Sequence, residues 1–241
     1  MRITFLVNHD LPALLALNHL LPSLKQHNII VFFSLKNSSI KNNKLAELAE
    51  FDSQQLSDCW PLASFSDVGA KQLNQVNTVG FQQFCATKPD LVVSIRYMTI
   101  LKEAVINTPR LGIMNLHSGP LPSYQGVMAT FWGLLNKESQ IGTTLHFIED
   151  NEVDTGSIIL SATSKANYQR SYLWNVLNIY RRGCDNIIEA VTRLSAGERL
   201  MSKSQSGTAH YYGFPSADIV RDCGFRLFHQ SDNAAEFFES S

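Results

Sequence analysis

Asn115 and His117 stand two positions apart at the end of the run LGIMNLH (111–117), and the loop SGPLPSYQG follows at once. Side chains on a strand alternate between faces, so these two share one. An amide and an imidazole on one face, where a buried strand gives way to a loop, suit hydrogen-bond donation and proton transfer to a ligand. A lone strand-end histidine is more often structural than catalytic; the amide beside it strengthens the chemical reading. An imidazole needs a partner to orient it, usually a carboxylate. Asp154, in NEVDTGSII, opens a Gly-containing turn before another apolar run. Glu149, Asp150 and Glu152 are rivals, and spacing alone does not choose among them.

The surrounding chain reads as the frame for these residues. RITFLV (2–7) is a first strand, and Asp10 is placed to cap the leucine-rich helix after it. Pro22 is expected to end or kink that helix. NIIVFFSL (28–35) and DLVVSI (90–95) are β-branched runs that suit buried strands, with LGIMNLH as the fourth. Helices are expected near 43–50, 78–86 and 102–106, with 51–75 left without a clear pattern. After the loop, 130–136 reads as a helix, 141–149 and 156–163 as strands, and 170–194 as a long amphipathic helix. Beyond 200 come HYYGFPSAD, a short helix and a tail. Strands alternating with helices predict an α/β fold: an open, mostly parallel twisted sheet with helices on both faces. In such sheets ligands bind at the carboxyl ends of the strands, where Asn115 and His117 sit.

Bulk properties exclude some classes. A chain of 241 residues with 44% hydrophobic content suits one globular domain. A formal charge of −1 lacks the basic footprint of a nucleic-acid binder. The apolar runs are strand-sized, so no membrane span is expected. The first apolar run meets Asn8, His9 and Asp10 too soon for a signal peptide, which points to the cytoplasm. Cys59, Cys85, Cys184 and Cys223 are far apart and read as reduced, packed thiols. No metal site is expected: His146, in TTLHF, reads as a strand histidine.

The ordered set LVVSIRYMTIL, NLHSGPLPSYQG, IGTTLHFIED and VDTGSII resembles the formyltransferases that use 10-formyltetrahydrofolate. The likeness is strong over about 88–163 and weaker over the first strands. It implies a Rossmann-like formyltransferase core over 1–200, a short C-terminal extension over 201–241, and formyl transfer from 10-formyltetrahydrofolate to an amine. It places the catalytic triad on Asn115, His117 and Asp154. It places the folate pocket on Arg96, Tyr97, Met98, Ile100 and Leu101, and on Ile148, Glu149, Asp150, Asn151 and Val153. Acceptor contacts are expected from Asn8, His9, Ser118, Gly119, Tyr124 and Gln125. The family usually carries His-Pro-Ser-Leu-Leu-Pro where this chain has His117-Ser118-Gly119-Pro120-Leu121-Pro122, so the acceptor's approach is expected to differ.

Among the family's members this chain is most similar to those that formylate nucleotide-linked deoxyamino sugars. Residues 8–12 lack the glycine-rich loop of the purine-pathway members, which speaks against a phosphate cradle there. The segment after the last core helix is shorter than the extra domain of methionyl-tRNA formyltransferases. The alternatives are another small amine, a formyltetrahydrofolate deformylase, and a ligand-binding module without activity. The expected partners are small molecules, with no nucleic acid and no membrane; a homodimer is left open. Trp132 is expected in the core. Tyr211, Tyr212 and Phe214 form either an acceptor-facing wall or a packed cluster, and the sequence does not separate the two.

Overall fold

The first strand shows how the sheet is made. In β1 (Arg2–Asn8) the five residues from Ile3 to Val7 are all buried, as a central strand covered on both faces requires. It pairs in parallel with β2 (Asn28–Ser34) on one side and β4 (Leu91–Ile95) on the other. The chain is described here from a computed structural model over residues 1–35, 42–57 and 62–237. Seven strands form one sheet in the order β3-β2-β1-β4-β5-β7-β8. Here β3 is Lys71–Gln72, β5 Ile113–His117, β7 Gln140–Ile148 and β8 Ile158–Lys165. The first five are parallel; β7 runs antiparallel to both β5 and β8. A separate parallel pair joins β6 (Gln125–Gly126) to β9 (Tyr211–Tyr212).

The expected fold class is borne out, with helices on both faces of a mostly parallel sheet. One layer holds α1 (Leu11–Ser23), α5 (Ala129–Leu135) and the long α6 (Tyr172–Ser195), packed on Phe5, Val93, Met114 and Leu116. The other holds α3 (Phe81–Ala86) and α4 (Glu103–Ile106), packed on Leu6, Val92 and Ile113. Asp10 caps α1 by accepting from the Ala13 N–H at 3.0 Å, and Pro22 sits one residue before the end of the helix. Ser171 caps α6 in the same way.

Two boundaries differ from the sequence reading. The second helix, α2, spans Asn43–Ser57 rather than ending near 50. Its last turns are polar outward, but Leu45, Leu48 and Phe51 keep one apolar stripe inward. The helix expected from 78 begins at Phe81, because the Thr78 and Gly80 N–H groups both turn back to the Gln75 carbonyl. Residues after 200 fold onto the sheet domain: Val220, in α7 (Ala217–Asp222), and Leu227 enter its main core. A short 3-10 turn follows at Ala234–Phe237. Cys85, Cys184 and Cys223 are free thiols, and Cys59 lies outside the described residues. Among the described residues no helix is long and apolar enough to cross a membrane.

Candidate active site

Strand register builds the site. On β5, Met114 and Leu116 face the main core under α6, which leaves Ile113, Asn115 and His117 on the opposite face. The antiparallel neighbour β7 places Ile148 beside Ile113, His146 beside Asn115, and Thr144 beside His117. The bottom pair is apolar and belongs to the second core. The upper pairs are polar and lie at the carboxyl end of β5. The choice among acidic residues left open by spacing is settled by contact, because Asp154 reaches this face and its rivals do not. Glu149 accepts from Ser157, Asp150 from the Glu152 N–H, and both acids are exposed.

Asp154 adopts φ 57°, a left-handed conformation that Asp tolerates better than most residues. Its carboxylate gathers the cluster. Oδ2 lies 3.3 Å from His117 Nδ1 and accepts from the Gly126 N–H at 2.9 Å. Oδ1 lies 3.4 Å from His146 Nε2 and 3.4 Å from Asn115 Nδ2. Asn115 Nδ2 is also 3.1 Å from His146 Nε2. The backbone of Asp154 is held as firmly: Gln125 and Gln205 side chains donate to its carbonyl at 3.2 and 2.7 Å.

His146, expected only as a strand histidine, is therefore a fourth member of the cluster. Its Nδ1 lies 2.8 Å from the Phe147 carbonyl, which can only accept, so that nitrogen carries the proton. The signal for it was available in TTLHF: two-residue alternation across β5–β7 puts His146 opposite Asn115 once the strands are paired.

Electrostatics follow from burial and these partners. His117 is 7% exposed, and burial pushes its pKa below 6.5 against the pull of Asp154 and the Tyr124 carbonyl. Burial also works against the Asp154 charge, but His117, His146 and the Gly126 N–H outweigh it and hold the carboxyl below its ordinary value. His117 Nε2 lies 2.6 Å from the Tyr124 carbonyl. A neutral imidazole that accepts a proton here finds Asp154 on one side and that carbonyl on the other, so the cation is stabilised as it forms. Asn115 is the most exposed of the three candidate catalytic residues, and its amide meets Asp154 through a long contact that a ligand oxygen can replace.

The Gly119 departure has a spatial cause. A Cβ there would lie 2.5 Å from the Ala129 side chain and 3.0 Å from His117 Nε2. The loop comes down onto the imidazole more closely than any side chain at 119 would allow. Thr144 fixes the same loop by donating to the Gly119 carbonyl at 2.8 Å.

The other expected site residues divide. Tyr97 and Leu101 are buried in the second core, and Ile148 is partly buried against that same core. Ile100 is 58% exposed on a backbone that Asn77 clamps through the Ile100 carbonyl and the Lys102 N–H. Met98 and Val153 are half-buried nearby in sequence, and Asn151 is exposed. Arg96 turns away: φ 57° swings its side chain to Asp10, where Nε donates to Oδ2 at 2.7 Å. Asn8 donates to the same oxygen at 2.8 Å. His9 stacks on Phe65 at 4.5 Å, and burial lowers its pKa. Tyr124 is buried, stacked 5.4 Å from Tyr212, with its hydroxyl donating to Glu138. Gln125 is occupied with Asp154, and the Ser118 carbonyl accepts from Thr130. Trp132 is half-buried rather than enclosed in the core, with its ring 5.0 Å from Tyr212.

A family profile described as formyl transferase matches residues 18–171. The chain belongs to the formyl transferase family. The resemblance read from the motifs is thereby confirmed. A methionyl-tRNA formyltransferase of Synechococcus sp. strain JA-3-3Ab is 32% identical over 142 residues, which is 59% of this chain. The chain spans only 42% of that relative's length. A sugar N-formyltransferase from Shewanella sp. FDAARGOS_354 superposes with TM-score 0.64 at 18% identity, covering 98% of this chain and 85% of its own. An N-formyltransferase from Helicobacter canadensis, solved with folinic acid and dTDP-3-aminofucose, gives TM-score 0.60 at 19% identity, covering 88% and 71%. At such identities these two structures establish the shared fold.

Proposed function

We propose that the protein transfers a formyl group from 10-formyltetrahydrofolate to the amino group of a nucleotide-linked deoxyamino sugar. The observation that carries the reading is the convergence of Asn115, His117 and His146 on one Asp154 carboxylate at the sheet edge. Family membership makes formyl transfer the reaction such a cluster serves.

The residues act as follows. A neutral amine attacks the formyl carbon and an oxyanion develops. Asn115 donates to that oxygen, an interaction worth about 3–4 kcal/mol of barrier. His117, neutral because burial lowers its pKa, takes the amine's proton and returns it to the departing folate nitrogen. Asp154 stabilises the imidazolium between these two events, and the Tyr124 carbonyl keeps the neutral ring oriented through Nε2. His146 accepts from the Asn115 amide through Nε2 and so holds that amide in place.

The donor fits between the two loops that share the second core. Ile100, held exposed beside buried Leu101 and Tyr97, offers an apolar surface to a flat ring. Ile148, at the start of the 148–153 segment, packs against the same second core and would offer the facing wall. No step here calls for a metal.

For the acceptor, the structural neighbours favour a sugar: the Helicobacter protein was solved with a dTDP-linked amino sugar. The formal charge of −1 agrees, since tRNA binding rests on neutralising phosphates. A second reading, Met-tRNA as acceptor, is favoured by the sequence relatives. The decisive assay gives the protein 10-formyltetrahydrofolate with a panel of nucleotide-linked amino sugars and, separately, charged initiator tRNA. Mass gain of one formyl group on a sugar is the expected result. Formylation of the tRNA alone overturns the sugar assignment, and formate release with no amine present overturns transfer in favour of hydrolysis.

A further inference from the structure

We propose that Tyr211 is the surface on which the amine-bearing sugar ring of the acceptor lies. The inference rests on the sugar reading above. Its basis is the register of the small β6–β9 sheet, in which Gln125 pairs with Tyr211 and Gly126 with Tyr212. Paired residues share a face, so the two tyrosines point to opposite sides. Tyr212 points inward, where its ring lies between Tyr124 at 5.4 Å and Trp132 at 5.0 Å. Tyr211 shares the face of Gln125, whose side chain donates to the Asp154 carbonyl. The sequence left HYYGFP as either a wall or a packed cluster; the structure assigns one role to each tyrosine.

Tyr211 is 63% exposed, and among the described residues its hydroxyl and ring have no hydrogen-bond or ring partner. A single exposed tyrosine is ordinary; its position here is not. Tyr211 Cε2 lies 3.0 Å from where a Cβ on Gly126 would stand. The Gly126 N–H is the donor that holds Asp154 Oδ2 at 2.9 Å. An uncovered aromatic ring therefore stands one residue from the peptide that fixes the catalytic carboxylate. Gly126 has φ +95°, and a Cβ there would also meet the Tyr212 carbonyl at 2.2 Å, so no side chain comes between the ring and the site. Phe214, 54% exposed, follows two residues after Tyr212.

A tyrosine ring gives a large, rigid contact area at small entropic cost, which suits the apolar C–H face of a deoxy sugar. So close to Asp154, the ring meets the part of the acceptor that carries the amine rather than its distant nucleotide end. The contact adds binding energy for the sugar ring equally before and during the chemical step.

The test compares wild type, Tyr211→Ala and Tyr211→Phe over the panel of nucleotide-linked amino sugars. It measures KM for each substrate, kcat, and direct binding of the sugars and of the matching nucleoside diphosphates. Tyr211→Ala is expected to raise KM and Kd for the amino sugar about tenfold, the size of one lost aromatic contact. Folate KM and kcat should stay within about twofold, and Tyr211→Phe should behave as wild type. Unchanged sugar binding in Tyr211→Ala overturns the proposal. So does a Phe variant as weak as Ala, which would assign the effect to the hydroxyl. Equal weakening of the nucleoside diphosphate alone overturns it by moving the contact to the nucleotide. A wild type that formylates no amine overturns the functional reading instead, while the binding comparison still decides the role of Tyr211. A wild type that also binds none of the sugars overturns both.

Discussion

At the ends of β1 and β4, Asp10 and Asp52 flank the start of α1 with Arg96 drawn onto Asp10. At the ends of β5 and β7, Asn115, His117 and His146 surround Asp154. Both clusters are polar and largely enclosed, and both lie near the carboxyl edge of the same sheet. Their bonding differs. Asp10 takes short bonds from Arg96, Asn8 and the Ala13 N–H, at 2.7, 2.8 and 3.0 Å. Asp52 takes the Leu11 N–H at 3.1 and 3.2 Å. Asp154 instead meets its three side-chain partners at 3.3–3.4 Å and spreads two oxygens among them. Short charge-assisted bonds pin a helix to a strand end. Long, shared ones can be exchanged for bonds to a ligand, which is what a reacting site requires.

The largest effect on turnover is expected at the second cluster. Asp154→Asn keeps the shape and removes the charge that stabilises imidazolium; turnover should fall about 10²–10⁴-fold. Asn115→Ala should cost about 10²–10³-fold, the size of one lost oxyanion donor. Thermal unfolding run beside the kinetics would expose either loss as a folding defect.

Arg96→Met should do the reverse. It leaves the Asp10 and Asp52 carboxyls without their cation and should destabilise the fold by about 2 kcal/mol or more, measured by denaturant unfolding. The folded fraction should keep its turnover. A stable Arg96→Met protein without activity would exchange the roles assigned to the two clusters.

Smaller effects sharpen the picture through pH. Burial and then the Asp10 charge push Asp52 up to about 7, against the pull of Arg96. A carboxyl raised in the folded state contributes stability that is full below its unfolded value of 3.8 and fades as pH rises through about 7. Asp52→Asn, which mimics the protonated form, should flatten the stability profile between about pH 4 and 7. His117 is lowered below 6.5, so its neutral form persists into mild acid. The acid limb of kcat/KM should therefore fall below about pH 6.5. A limb above pH 7 would mean that His117 is not the titrating base.

The candidate catalytic cluster is legible because its residues lie on strands. Two-residue alternation puts Asn115 with His117, and the motifs after them bring Asp154 into view. His146 was passed over because its importance appears only when β5 and β7 are paired antiparallel. The pinning cluster was half legible: Asp10 reads as a cap, but Asp52 lies in a stretch without clear periodicity and bonds a backbone N–H 41 residues away. The family resemblance assigns the Arg96 backbone to the folate loop; the pairing of its side chain with Asp10 follows from a left-handed φ, which sequence periodicity does not report. Tyr211 and Tyr212 could not be told apart until the register of a two-residue strand was known.

That Asp154 holds a proton-transfer cluster for formyl transfer is a proposal open to direct test. It is tested most directly by single-turnover assays of wild type and Asp154→Asn, with 10-formyltetrahydrofolate bound to each at matched occupancy and an amino-sugar acceptor added. Formylated product is expected from wild type, with a rate at least about 10²-fold lower from the variant and folate affinity unchanged. Equal rates from the two proteins would contradict it.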